Sequence, residues 1–116
     1  MEFIYYPNCS TCKKALKKIK DFDPKLRDIV KETPSKEELK TYINTYNKGI
    51  KPFFNTSGQV YRQMNLKDKI KDMTIDEACD LLSSNGMLVK RPILVLDNEV
   101  LVGYKEREYD EIIKKL

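Results

Sequence analysis

Apolar positions along this chain follow two rhythms. Glu2-Phe3-Ile4-Tyr5-Tyr6 is a short β-branched and aromatic run halted by Pro7-Asn8, which predicts a buried strand. From Cys12 the spacing becomes helical, with Cys12, Ala15, Leu16, Ile19 and Phe22 apolar and Lys13, Lys14, Lys17, Lys18 and Lys20 between them. An amphipathic helix with a basic outer face follows. Asp21 to Pro24 breaks it, and Leu26 to Val30 reads as a second strand, so the opening of the chain is a βαβ unit with parallel pairing expected.

The middle of the chain is helical and interrupted. Ser35-Lys36-Glu37-Glu38 is a capping box, in which the Ser35 hydroxyl and the Glu38 carboxylate satisfy backbone donors reciprocally. It predicts a helix from about Lys36 to Tyr46 that buries Leu39, Tyr42, Ile43 and Tyr46 and ends at Gly49. Asn55 to Gly58 reads as a turn before a short helical stretch through Val60, Tyr61 and Met64. Thr74-Ile75-Asp76-Glu77 is a second capping box, and the helix it opens carries Ile75, Ala78, Cys79 and Leu82 on one face, with Asn85-Gly86 as its C-cap. Cys79 therefore faces the core, as a small hydrophobe.

Pro92 to Leu96 and Glu99 to Gly103 are apolar runs joined by Asp97-Asn98, the pattern of a β-hairpin. Tyr109, Ile112, Ile113 and Leu116 give the closing helix its buried stripe. The order βαβ, helices, ββα describes an α/β protein: a four-stranded mixed sheet in the thioredoxin manner, with a helical insertion over about 35–86 between its halves. A chain of 116 residues fits one domain of ordinary size, spanning 1–116.

Composition narrows the chemistry. With no histidine, Ser-His-Asp triads, Cys-His dyads and His-based metal sites are excluded. A formal charge of +4 is small for a dedicated nucleic-acid binder, and the lysine face of the first helix has no interleaved aromatic platform, so direct nucleic-acid binding is not expected. No apolar run reaches membrane-spanning length, and the N-terminus is too short and wrongly flanked for a signal peptide, so a cytoplasmic protein without membrane contact is expected.

Cys9-Ser10-Thr11-Cys12 is a C-x-x-C that follows a predicted strand and opens a helix in a βαβ context, the setting of thioredoxin-like redox sites. A thiol at a helix N-terminus meets unpaired N–H groups and the positive end of the helix dipole, and Lys13 and Lys14 add charge nearby. Cys12 lies one turn below, toward the buried side, within disulfide reach. Cys9 is then the attacking thiolate and Cys12 the resolving thiol, a mechanism that needs no histidine base. The alternatives are a purely structural use of both cysteines and a zinc site, the latter opposed by the lack of a second C-x-x-C. A phosphate-cradling C-x5-R loop is excluded, because the sixth residues after Cys9 and Cys12 are Ala15 and Lys18.

Three stretches carry a family likeness. Tyr6 to Ala15 around the cysteines, Phe54 to Gly58 with Tyr61-Arg62, and Met87 to Ile93 followed by Val102-Gly103-Tyr104 together resemble the arsenate reductase-like thioredoxin folds, the ArsC and Spx group. The resemblance implies an oxidoreductase coupled to thioredoxin, or to glutaredoxin and glutathione, in which the first cysteine attacks an oxyanion. It also implies candidate oxyanion- or substrate-binding residues Arg91, Lys13 and Pro92, with a cis Arg91-Pro92 bond facing the cysteines. Positions near Asn55 and Tyr104 stand where arsenate reductases carry further arginines. The Spx side of the likeness implies a redox-sensing regulator that contacts the RNA polymerase α-subunit. Neither side implies a metal or an organic cofactor, and a monomer is expected.

Overall fold

A computed structural model describes all residues 1–116. Strand β1 (Glu2–Tyr5) leads into helix α1 (Ser10–Ile19), and β2 (Lys25–Asp28) returns parallel to β1, with Phe3 beside Leu26 and Ile4 beside Arg27. Helices α2 (Lys36–Tyr46), α3 (Gln59–Gln63), α4 (Leu66–Lys69) and α5 (Ile75–Ser84) follow. The hairpin β3 (Ile93–Val95) and β4 (Val100–Val102) then precedes α6 (Glu106–Lys115). The sheet order is β2-β1-β3-β4, with β1–β3 and β3–β4 antiparallel.

Alternation along the strands divides the core into two. Phe3, Leu94 and Leu101 stand in one cross-strand row and pack with Ala15 and Ile19 of α1 and Tyr109 and Ile112 of α6. Ile4, Ile93 and Val102 form the opposite row and pack with Leu39, Tyr42 and Ile43 of α2 and Ala78, Cys79 and Leu82 of α5. The central strands are buried on both faces, which is why their sequences read as continuous apolar runs rather than alternating ones. Cys79 is fully buried in this second core, as its helical face predicts.

Both capping boxes form. The Ser35 hydroxyl accepts from the Glu38 N–H while the Glu38 carboxylate accepts from the Ser35 N–H, and Thr74 and Glu77 repeat the exchange at α5. Glu38 also meets Arg27 of β2 through two charge-assisted hydrogen bonds of 2.8 and 2.9 Å, tying α2 to the sheet edge. That contact, with the Ser35 N–H, holds the Glu38 carboxyl at about 2.

Several boundaries differ from the sequence expectations. Helix α2 spans Lys36–Tyr46 as expected, but its cap is Asn47 rather than Gly49: Asn47 takes the left-handed conformation at φ 57° and its N–H bonds to the Ile43 carbonyl, while Gly49, at φ 78°, lies beyond. Asn tolerates that region because its short polar side chain interacts locally. Gly86 is not a left-handed cap. Asn85 is extended and its side chain accepts from the Met87 N–H to start a 3-10 turn, and Gly86 is needed because a Cβ there would collide with the Ile29 carbonyl oxygen. Strand β2 stops at Asp28 instead of Val30, because the Asp28 carboxylate accepts from the Val30 and Lys31 N–H groups and turns the chain. The other three strands are one residue shorter at one or both ends than their apolar runs. The first helix begins at Ser10 with Cys9 as its N-cap, so the C-x-x-C opens it as expected.

Two outcomes follow. Glu38→Gln should lower stability at pH 7 by about 1 kcal/mol, discounted for solvent reaching the pair. Because the folded carboxyl titrates below its ordinary 4.5, the loss should be present above that pH and vanish as pH falls toward about 2, read by urea unfolding. Gly86→Ala should cost about 2 kcal/mol or more, since backbone rather than a flexible side chain must yield, checked by the thermal midpoint.

Candidate active site

The site forms where α1 begins, beyond the end of β1. Pro7 and Asn8 turn the chain, and the Cys9 N–H closes the turn on the Tyr6 carbonyl at 3.0 Å. Cys9 is the N-cap of α1, with extended φ and ψ of −90° and 120°, and its carbonyl accepts the first helical bond from Lys13 N–H at 3.1 Å. Cys12 falls on the stripe that continues through Ala15 and Ile19, so it is fully buried while Cys9 remains partly exposed. Both are free thiols.

Their environments push the two thiols apart. Partial burial works against the Cys9 thiolate, but the Cys12 N–H, the Cys12 thiol, the Arg91 guanidinium and the Thr11 N–H together outweigh it and lower its pKa. These approaches to the sulfur are long or bent, since no full hydrogen bond caps the helix there. Burial raises Cys12 to about 12, and the neighbouring Cys9 adds to the rise, while the Tyr6 N–H opposes it. One cysteine is prepared to be a thiolate at a pH where the other keeps its proton.

Arg91 reaches the site from the loop before β3. The Arg91-Pro92 peptide is cis, as its placement predicts, and Pro92 is buried with its carbonyl accepting from the Gly103 N–H at 2.8 Å. The guanidinium carbon stands 5.0 Å from the Tyr6 ring centroid, and Nη1 is buried without a hydrogen-bond partner. An unpartnered buried guanidinium nitrogen beside a nucleophilic sulfur suits a transient anion.

Of the sequence candidates, Cys9, Cys12 and Arg91 come together, and cis Pro92 follows Arg91 at the start of the hairpin. Lys13 does not join them. It sits on the exposed side of α1, and the largest favourable contributions at the Cys9 sulfur come from the Cys12 N–H, the Cys12 thiol, Arg91 and the Thr11 N–H. Tyr6 was missed as a site residue: its ring supports Arg91 and its N–H approaches the Cys12 sulfur. An aromatic residue directly before the Pro7-Asn8 turn is the signal that marks it.

The ArsC family model matches residues 4–112, nearly the whole chain. The chain belongs to the ArsC family. Among its relatives, the uncharacterized protein YusI of Bacillus subtilis (strain 168) is 42% identical over 113 residues, covering 96% of each chain. The regulatory protein MgsR of the same organism is 32% identical, over 99% of this chain and 91% of its own. A solved ArsC family related protein from Bacteroides fragilis is 44% identical, with a TM-score of 0.88 over 95% of this chain and 94% of that one. The thioredoxin-like mixed sheet with helices between its halves is thus the ArsC fold.

The thiols carry a signed pH dependence. Cys9 ionises more readily folded than unfolded, so its contribution to stability is present above the ordinary 9.0 and lost as pH falls through its folded pKa. Cys12 is held neutral, so its contribution is present below 9.0 and lost as pH climbs toward about 12. Alkylation of Cys9 by iodoacetamide should therefore have a midpoint below 9.0, with Cys12 unmodified over the same range, and Arg91→Ala should move the Cys9 midpoint upward. Mass mapping of the modified peptides checks each outcome.

Proposed function

We propose that this ArsC family chain is a thiol–disulfide redox protein in which Cys9 attacks and Cys12 resolves. The observation that carries the reading is the asymmetry of the pair: a partly exposed thiol favoured as thiolate stands one helical turn above a fully buried thiol held at about 12. A structural pair has no use for such a difference, whereas exchange chemistry requires it.

The exchange balances as follows. The Cys9 thiolate attacks one sulfur of a substrate disulfide; a mixed disulfide forms, the substrate S–S bond breaks and the second substrate sulfur leaves as thiolate. The Cys9 charge that helped keep Cys12 protonated is then gone. Cys12 gives its proton to the departed sulfur or to solvent, its sulfur attacks Cys9 Sγ, and the remaining substrate sulfur is expelled. The substrate gains two electrons and the chain ends with a Cys9–Cys12 disulfide. A dithiol of the thioredoxin class, or glutaredoxin with glutathione, resets it. Arg91, with its free Nη1, is the group that meets a developing anion, including an oxyanion such as arsenate if one is the substrate.

A second reading draws on the likeness to MgsR, a regulatory protein, across almost the full chain. There the same pair acts as a switch, and the partner is the RNA polymerase α-subunit that the Spx resemblance implies. The two readings share the thiol chemistry and differ in what the oxidised pair does.

Cys9→Ser should reduce disulfide reduction to the uncatalysed background, and Cys12→Ser should accumulate a mixed disulfide with substrate, visible as a mass increment. Full activity in Cys9→Ser would sink the mechanism. Arsenate-dependent consumption of thioredoxin or glutaredoxin equivalents identifies a reductase, while reversible Cys9–Cys12 oxidation without arsenate turnover identifies a switch.

A further inference from the structure

Lysines without carboxylate partners gather along a groove, a run of recesses that starts beside Thr11, two residues after Cys9. A recess of about 500 Å³ opens beside Thr11, which stands between the site cysteines in sequence, and is walled by Lys48, Lys90 and Lys105 around Tyr46 and Tyr104. It shares Lys48 and Lys90 with a second recess that adds Lys51, and that recess shares Lys51 and Thr56 with a third, walled by Lys67 and Lys71 over Tyr61 and Ile70. No carboxylate lines any of the three. None of the six lysines takes part in an ion pair.

Elsewhere the lysines at helix seams are neutralised. Lys18 of α1 meets Asp110 at 2.9 Å and Glu106 at 3.2 Å on α6, and Lys36 and Lys40 of α2 meet Asp76 and Asp80 of α5. Of the groove lysines, Lys48 lies over the Tyr46 ring at 4.9 Å, and none of the six is held by a carboxylate. A run of uncompensated cations over partly apolar walls raises the local concentration of an anionic, flexible ligand.

We propose that this groove binds an extended acidic segment of a protein and delivers a disulfide in that segment to Cys9. The inference rests on the thiol reading above and names its substrate class. Two observations favour polypeptide over nucleic acid. The run of recesses reaches Thr11 within the C-x-x-C segment, so a polypeptide lying in it carries its own disulfide toward Cys9. Along its walls six lysines stand against one arginine, Arg62, in an adjoining recess that shares Thr56, Tyr61 and Lys67, so it supplies mainly point charges suited to scattered carboxylates rather than the guanidinium forks that match phosphates. Side chains of a segment alternate along an extended backbone, which lets carboxylates meet the lysine wall while apolar neighbours rest on Tyr46, Tyr61 and Tyr104. The bound disulfide takes two electrons: its S–S bond breaks, the Cys9–Cys12 bond forms, and the Cys12 proton ends on the product thiols or in solvent.

The test uses the full chain, reduced, with two peptides that share one intrapeptide disulfide but are flanked by aspartates and glutamates or by lysines. At low ionic strength the acidic peptide should be reduced at least about tenfold faster, and the advantage should shrink in high salt. In Lys51→Glu/Lys67→Glu/Lys71→Glu, three exposed positions remote from the cysteines in sequence, the ratio of acidic to basic rates should invert. Equal rates for the two peptides, or a ratio untouched by the triple reversal, would overturn the proposal. A small uncharged disulfide separates this result from failure of the thiol reading: if wild type does not reduce it, that reading fails. The groove is then judged by fluorescence anisotropy of a cysteine-free acidic peptide. Salt-sensitive binding lost in the triple variant upholds the groove, and no binding overturns it. Tighter binding of a single-stranded oligonucleotide of matched charge overturns it in favour of nucleic acid.

Discussion

The seating of α1 on the sheet governs the chemistry at its N-terminus. Cys12, Ala15 and Ile19 are fully buried, and Ala15 and Ile19 pack with Phe3 and Leu94 of the sheet and Tyr109 and Ile112 of α6. Burying each large apolar side chain in such a contact stabilises by about 1.5–3 kcal/mol, enough in sum to hold a desolvated thiol in place. A slip of one residue would rotate the helix by about 100° and carry Cys12 away from the core. The contrast between the two cysteines is thus a consequence of helix packing as much as of local sequence.

The same seating decides which charges matter. At a helix N-cap, the backbone N–H groups of the first turn are the nearest dipoles to the sulfur, and Arg91 adds a full charge from a loop more than eighty residues later in sequence. The lysines of α1 lie further round the cylinder, and one of them, Lys18, is committed to binding α6. Net charge would have assigned the favourable field to the lysines. The largest contributions come instead from the Cys12 and Thr11 amides, the Cys12 thiol and one guanidinium.

Local rules made much of this fold readable. Two capping boxes placed the starts of α2 and α5, the apolar runs around Asp97-Asn98 announced the hairpin, and the C-x-x-C between strand and helix located the thiols. What stayed hidden depends partly on contacts distant in sequence and partly on local conformations that the residues permit without requiring. The need for glycine at Gly86 comes from the Ile29 carbonyl, more than fifty residues earlier, and the end of β2 from a side chain bonding its own following backbone. Left-handed Asn47 and Asn65, which end α2 and separate α3 from α4, are conformations that asparagine permits but does not compel. At the site, Cys9 and Cys12 are recognisable from spacing alone. The free Nη1 of Arg91 and its support on Tyr6 need three dimensions to be seen.

The central claim is that Cys9 and Cys12 form one redox couple while the buried Cys79 stands apart. Oxidising the folded chain with diamide, alkylating the remaining thiols and mapping peptides by mass tests this directly. The account predicts a Cys9–Cys12 disulfide with Cys79 unmodified until the chain is unfolded, and full return to three thiols with a dithiol reductant. A disulfide that joins Cys79, or a Cys9 that oxidises only to an intermolecular species while Cys12 stays reduced, would contradict it.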